Sequence, residues 1–169
     1  PTIEQAVITA PDKAAQDRLG GSISVDSTGT RCVIGASSAD VTYTDSGAVY
    51  VFTKTGVTWS LEQKLSASDK AASDNFGHSV SISADGTRIA IGAYSANVTA
   101  VDDSGAVYIF LRTGVTWAQE IKLAASDKVV ADYFGYSVSL DSTGTRCVIG
   151  AYTANPTSLG DAGKAYVFL

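Results

Sequence analysis

The sequence repeats itself, and a repeat of this length restricts the possible folds more than any other property of the chain. Asp17-Arg18-Leu19-Gly20 returns as Asp74-Asn75-Phe76-Gly77 and again as Asp132-Tyr133-Phe134-Gly135. The same step carries Arg31-Cys32-Val33-Ile34-Gly35-Ala36 onto Arg88 to Ala93 and Arg146 to Ala151. It also carries Gly47-Ala48-Val49-Tyr50-Val51-Phe52 onto Gly105 to Phe110 and Gly163 to Phe168. Three copies of one unit therefore fill the 169 residues, and each must bury its faces against its neighbours.

Each unit reads as four strands, lettered A to D. The A segments, Ser22 to Val25, Ser79 to Ser83 and Ser137 to Leu140, alternate Ser with apolar residues, the period of a strand with one polar face. The B segments (Arg31, Arg88 and Arg146 onward) and C segments (Gly47, Gly105 and Gly163 onward) are almost continuous apolar runs, as strands covered on both faces require. The D segments run from Trp59 to Ala67 and from Trp117 to Ala125. Turn residues lie between them: Asp26-Ser27-Thr28-Gly29 between A and B, Thr55-Gly56 and Thr113-Gly114 between C and D. With 16 Gly against 3 Pro, the composition also favours strands joined by tight turns. The expectation is an all-β chain, a β-propeller of three four-stranded antiparallel blades in one domain, residues 1–169. Blade 1 spans residues 11–67, blade 2 spans 68–125, and blade 3 spans 126–169 without a D strand of its own.

The B, C and D segments also carry a family resemblance. The Phe-Gly before strand A, the Ile-Gly-Ala that closes strand B and the Ser-Gly-Ala-Val-Tyr-Val-Phe run resemble FG-GAP repeats, the blades of the integrin α-subunit head and of many bacterial surface proteins. Trp59 to Asp69 and Trp117 to Asp127 resemble the bacterial variety. The resemblance implies a propeller and an extracellular or cell-surface setting, but no particular chemistry.

The two ends look complementary. Aligned on the second repeat, Ile8 falls on Leu65, Ala10 on Ala67 and Asp12 on Asp69, so residues 1–10 read as a D strand with no blade of their own. Three blades are fewer than the four to eight of ordinary propellers, which disfavours closure within one chain. The expected assembly strand is thus Ile3, Val7 and Ile8 pairing with Ala165, Tyr166, Val167, Phe168 and Leu169 of a neighbouring copy. Two copies would make a six-bladed ring, and a contact that does not close would make a fibre. The third alternative is three blades of a longer chain. The absence of Met likewise suggests a processed chain or a segment of something longer.

Other chemistry is sparse. Lys and Arg total 12 against 17 Asp and Glu, a net charge of −5 with no basic cluster, which argues against nucleic acid or anionic membranes as partners. No apolar run approaches the roughly 18 residues of a membrane span. Integrin-type blades hold calcium in an Asp-rich A-to-B loop, whereas these loops have one carboxylate each and read as hairpin turns. Asp45, Asp103 and Asp161 in the B-to-C loops are weak cation candidates whose expected role is an Asx turn. No cofactor is expected. Arg31, Arg88 and Arg146 are each expected to pair with one of the crossover aspartates, Asp12/Asp17, Asp69/Asp74 and Asp127/Asp132, whose own expected role is to cap backbone N–H groups. Cys32 and Cys147 read as small buried residues.

His78, the lone histidine, sits where the other repeats have Gly21 and Tyr136, so no catalytic relay forms around it and no enzyme activity is expected. Asn97-Val98-Thr99 is a glycosylation sequon. Tyr43, Tyr94 and Tyr152 are candidates for stacking on sugar rings. The leading expectation is a structural or adhesive module that assembles with itself by exchange of its N-terminal strand. The alternative is a glycan-binding propeller.

Overall fold

A computed structural model describes residues 3–155 and 160–169. Blade 1 is the meander β1 (Ser22–Val25), β2 (Arg31–Ala36), β3 (Ala48–Thr55) and β4 (Thr58–Leu65). Blade 2 repeats it as β5 (Ser79–Ile82), β6 (Arg88–Ala93), β7 (Ala106–Thr113) and β8 (Thr116–Leu123). Blade 3 has three strands, β9 (Phe134–Leu140), β10 (Cys147–Ala151) and β11 (Lys164–Phe168). All ladders are antiparallel, and no helix occurs among the described residues. The repeat reading is therefore correct in architecture, with three blades and no closed ring within the chain.

Turn chemistry falls where the sequence places it. Gly29 and Gly86 take positive φ in the A-to-B hairpins, and Gly56 and Gly114 do so between C and D. In the first hairpin, Asp26 fills its carboxylate with the backbone N–H groups of Thr30 and Arg31 and the hydroxyl of Thr28.

The core is layered between blades. Val33, Val49 and Val51 of blade 1 pack against Phe76, Ile89, Ile91, Tyr108 and Phe110, which reach back from blade 2 and its lead-in. The next seam repeats this with Ala90, Val107 and Ile109 against Phe134, Cys147 and Ile149. Residues such as Val33 and Ile89 thus occupy opposite faces of their sheets, which is why the B and C strands of blades 1 and 2 are apolar throughout.

Residues 3–10 carry no strand pairing. Ile8 and Ala10 still pack on the outer face of blade 1 with Ile34, Tyr50 and Phe52, as Leu65 and Ala67 pack on blade 2. The segment has the position of a D strand without its ladder, because no C strand lies beside it to accept its backbone hydrogen bonds. Pro1 and Thr2 of the expected strand lie outside the described residues.

Candidate functional site

Neighbouring blades are joined by a fixed set of contacts made by serine hydroxyls and backbone groups. The Ser22 hydroxyl donates to the Gly77 carbonyl at 2.7 Å, and Ser79 donates to Gly135 at 2.8 Å. The Ile82 N–H donates to Ser24 Oγ at 3.1 Å, and the Leu140 N–H to Ser81 Oγ at 3.0 Å. Phe76 and Phe134 donate their N–H groups to the carbonyls of Ser46 and Ser104. These approaches need glycine: a Cβ on Gly35 would lie 2.0 Å from the Gly77 carbonyl oxygen, and one on Gly92 would lie 2.0 Å from that of Gly135.

At the two ends of the array, no further blade covers the same positions among the described residues. On blade 3, Val148 is 45% exposed and Val167 is 65% exposed, whereas their counterparts Ala90 and Ile109 are 0% and 7% exposed. On blade 1, Ile23 and Val25 are 64% and 56% exposed, whereas Val80, the equivalent of Ile23, is half-buried and Ile82, the equivalent of Val25, is 7% exposed. Ser137 and Ser139, the counterparts of Ser79 and Ser81, stand on the open face of blade 3. Each end therefore displays one half of an interior seam.

The predicted assembly residues divide between these ends. Ile3 and Val7 are exposed, Ile8 is half-buried on blade 1, and Val167 and Leu169 are exposed along the free edge of β11. Tyr166 and Phe168 turn inward onto Phe134, and Ala165 is exposed. An apolar groove of roughly 300 Å³ beside this edge is lined by Ile109, Ile121, Leu123, Leu140, Cys147 and Phe168. In the preceding seam Trp117 fills the corresponding space, against Val51, Ile89 and Phe110.

The first aspartate of each crossover pair anchors a tyrosine of the following C strand and a lysine. Asp12 accepts from Tyr50 Oη and Lys64 Nζ, Asp69 from Tyr108 and Lys122, and Asp127 from Tyr166 and Lys164. The Lys164 ammonium and the Tyr166 hydroxyl hold the Asp127 carboxyl below the ordinary 3.8. Burial works in the opposite direction at Asp69, and the bonds from Lys122 and Tyr108 outweigh it. The second aspartates cap backbone, as expected: Asp17, Asp74 and Asp132 accept from the N–H groups of Ala14, Ala71 and Val129.

The arginines are ion-paired, but not to these aspartates. Arg31 pairs with Glu62 at 2.9 Å and Arg88 with Glu120 at 3.1 Å. Each glutamate sits at a bulge: β4 pairs Gln63 with Val51 and Leu61 with Phe52, leaving Glu62 as the extra residue, and β8 does the same at Glu120. The bulge aims the carboxylate across the blade. Glu62 also accepts from Arg112 and from the Trp117 indole of the next blade, so its charge is held although burial alone would raise its pKa. Both glutamates recur at one repeat position beside a recurring arginine, a signal that the sequence does contain. Among the described residues, Arg146 of blade 3 pairs with Asp141 alone, at 3.7 Å.

The B-to-C loops hold their own correction. Asp45, Asp103 and Asp161 are left-handed, with φ of 50°, 49° and 53°. The side chains that cap these turns are Asp40, which accepts from the Asp45 N–H, and Asn97, which accepts from the Asp103 N–H. The backbone carbonyls of Asp45 and Asp103 reach the next blade at Asn75 and Tyr133. Among the described residues no three acidic, histidine or cysteine side chains gather as metal ligands. Asn97 is exposed, with its amide oxygen used in that turn.

Cys32 and Cys147 are buried, unpaired with each other and pushed up to about 11, chiefly by burial. Tyr94 and Tyr152 come together, whereas Tyr43 stands apart and exposed. They form part of a cluster across the seam of blades 2 and 3: His78 lies 4.4 Å from Tyr94 and 4.7 Å from Tyr136, ring centre to ring centre. Tyr136 lies 4.3 Å from Tyr152, and Tyr133 bridges Tyr94 and Tyr152. Burial holds the His78 imidazole below its ordinary 6.5. His78, Tyr133 and Tyr136 were not legible as partners because they come from different repeats and meet only at the seam.

Comparison with known proteins agrees with the three-blade geometry. The FG-GAP repeat model matches residues 2–52, 59–110 and 117–168. The chain belongs to the FG-GAP repeat family. No curated protein sequence matches it. Similar solved structures include Sqt1 of Saccharomyces cerevisiae (10% identity, TM-score 0.49, covering 92% of this chain and 37% of that one). Hydrazine synthase of Kuenenia stuttgartiensis is similar at 12% identity and TM-score 0.48, over 79% of this chain and 30% of that one. The tricorn protease is similar at 12% identity and TM-score 0.47, over 86% of this chain and 13% of that one. This FG-GAP chain thus spans less than two fifths of the length of each.

Proposed function

We propose that this FG-GAP chain is a non-enzymatic, extracellular structural or adhesive module that assembles head to tail with copies of itself. The observation that carries the reading is the pair of exposed apolar faces, Val148 and Val167 at one end and Ile23 and Val25 at the other. They stand at positions that are covered between blades 1 and 2 and between blades 2 and 3. Joining them removes apolar surface from water, at about 25 cal/mol per Å². A free strand edge at β11 and an unpaired segment at residues 3–10 supply the donors and acceptors of a new ladder.

Light scattering over a concentration series tests this. The expected result is growth from the chain mass to twice that mass, a six-bladed ring, or open-ended growth into a fibre. Deleting residues 1–10 is expected to abolish the assembly; an unchanged particle would rule out strand exchange.

A second reading, a glycan site, draws support from the gathering of Tyr94, Tyr136 and Tyr152 around His78. Half-exposed aromatic rings beside hydroxyl groups suit the apolar face and polar rim of a pyranose. Binding on a glycan array that is lost in both Tyr94→Ala and Tyr152→Ala supports it, and an array without binding excludes it.

A further inference from the structure

The three Asp–Tyr–Lys clusters are alike in geometry but not in origin. In blades 1 and 2 the lysine comes from the D strand: Lys64 pairs in register with Tyr50, and Lys122 with Tyr108. Each ammonium lies over its tyrosine ring, at 5.2 and 5.3 Å, and reaches the aspartate beyond. Blade 3 has the aspartate and the tyrosine but no D strand among the described residues. Its lysine comes instead from the C strand: Lys164 occupies the position of Ala48 and Ala106, both fully buried, and bonds Asp127 at 2.8 Å.

A fourth strand of the ordinary kind would bring a second lysine to Asp127. The N-terminal segment would not. With Ile8 at the position of Leu65 and Leu123, the residue at the position of Lys64 and Lys122 is Val7. The blade that supplies its own lysine and the strand that lacks one belong to the same sequence.

Resting on the head-to-tail reading above, we infer that the strand completing blade 3 is residues 3–8 of another copy of this chain, in one register. That register sets Ile8 opposite Ala165, Val7 opposite Tyr166 and Ala6 opposite Val167, as Leu65, Lys64 and Gln63 stand opposite Val49, Tyr50 and Val51. Lys164 is the residue that matches the third blade to this strand. A slip by one residue would turn Val7 to the other face and set Ile8 against Tyr166.

Two measurements on the full chain test the inference. With Cys32 and Cys147 replaced by Ala, the pair Ile8→Cys and Ala165→Cys is expected to form covalent oligomers on oxidation, and Val7→Cys with Ala165→Cys is not. Separately, Lys164→Ala is expected to weaken assembly by about 2- to 5-fold, because the added strand would cover an Asp127 carboxylate left without its cation. Mixing Lys164→Ala chains with Val7→Lys chains is expected to restore it, because the lysine then arrives on the partner's strand. Assembled chains that cross-link in another register, or that the mixture fails to restore, overturn this inference alone. A wild-type chain that remains monomeric at every concentration overturns the head-to-tail reading as well.

Discussion

The seam between blades 1 and 2 and the two outer faces are built from the same repeat positions, yet one is dry and the others are open. Between the blades, Val33, Val51 and Ile82 lie within a continuous apolar layer. At the ends, Val148, Val167, Ile23 and Val25 occupy matching places in solvent. The difference does not come from composition, since the outer faces have not become polar. A terminal blade meant to face water would carry a polar outer face, as capping repeats do. The comparison teaches that one set of repeat positions is covered between blades and left exposed at the two outer faces.

The largest effect that can break this comparison is a charge placed on either side of it. Ile109→Asp puts an unpaired carboxylate into the covered seam and is expected to unfold the chain, a loss of about 4 kcal/mol or more measured by denaturant titration. Val167→Asp, one repeat later, is expected to leave the monomer folded and abolish growth in light scattering. Equal damage to folding from both would end the distinction between seam and face.

A smaller contrast sharpens it. Glu62 serves Arg31, Arg112 and Trp117 across a complete seam, whereas Glu120 serves Arg88 alone. Glu62→Gln is expected to cost about 1 to 3 kcal/mol in urea unfolding. The same change at Glu120 is expected to cost at most about 1 kcal/mol in the monomer.

The smallest expected effect is a pH dependence at the seam of blades 2 and 3. Burial lowers the His78 pKa from 6.5, so the unfolded chain binds a proton that the folded chain resists. Stability is then full above about pH 6.5 and falls as the pH drops below it. Melting temperatures between pH 7.5 and 5.5 are expected to decline in the wild type and to be flatter in His78→Phe. Asp12, Asp69 and Asp127 have lowered pKa values, so their contribution is lost only in stronger acid, as the pH falls below about 3.8 and through their folded values.

Strand identity was legible because each repeat states its own local pattern: alternation in β1 and β5, apolar runs in β2 and β6, glycine in the turns. Most of what the sequence hid lies between repeats. The glutamate partners of Arg31 and Arg88 depend on bulges, which shift a residue out of register without leaving a pattern of period two. The aromatic cluster joins His78 and Tyr94 to Tyr133, Tyr136 and Tyr152, and no linear spacing announces a contact across a seam. The Lys164 exchange was visible as an Ala-to-Lys difference in the third copy, but its meaning required knowing that Lys64 and Lys122 point at the same aspartate.

The glycine contacts at the seams have a mechanical consequence. Because Gly35 meets the Gly77 carbonyl and Gly92 meets that of Gly135 backbone to backbone, the rotation from one blade to the next is fixed by main-chain atoms. Side-chain changes in the apolar layers can strengthen or weaken a joint without altering its angle. A seam between copies of the kind proposed, using Gly150 in the same way, would inherit that angle, so the curvature of such an assembly would be set inside a single chain. Closing a ring or winding a spiral would then be decided by one repeated rotation, and any residue bulkier than glycine at Gly35 or Gly92 would meet backbone 2.0 Å away and break the joint that sets it.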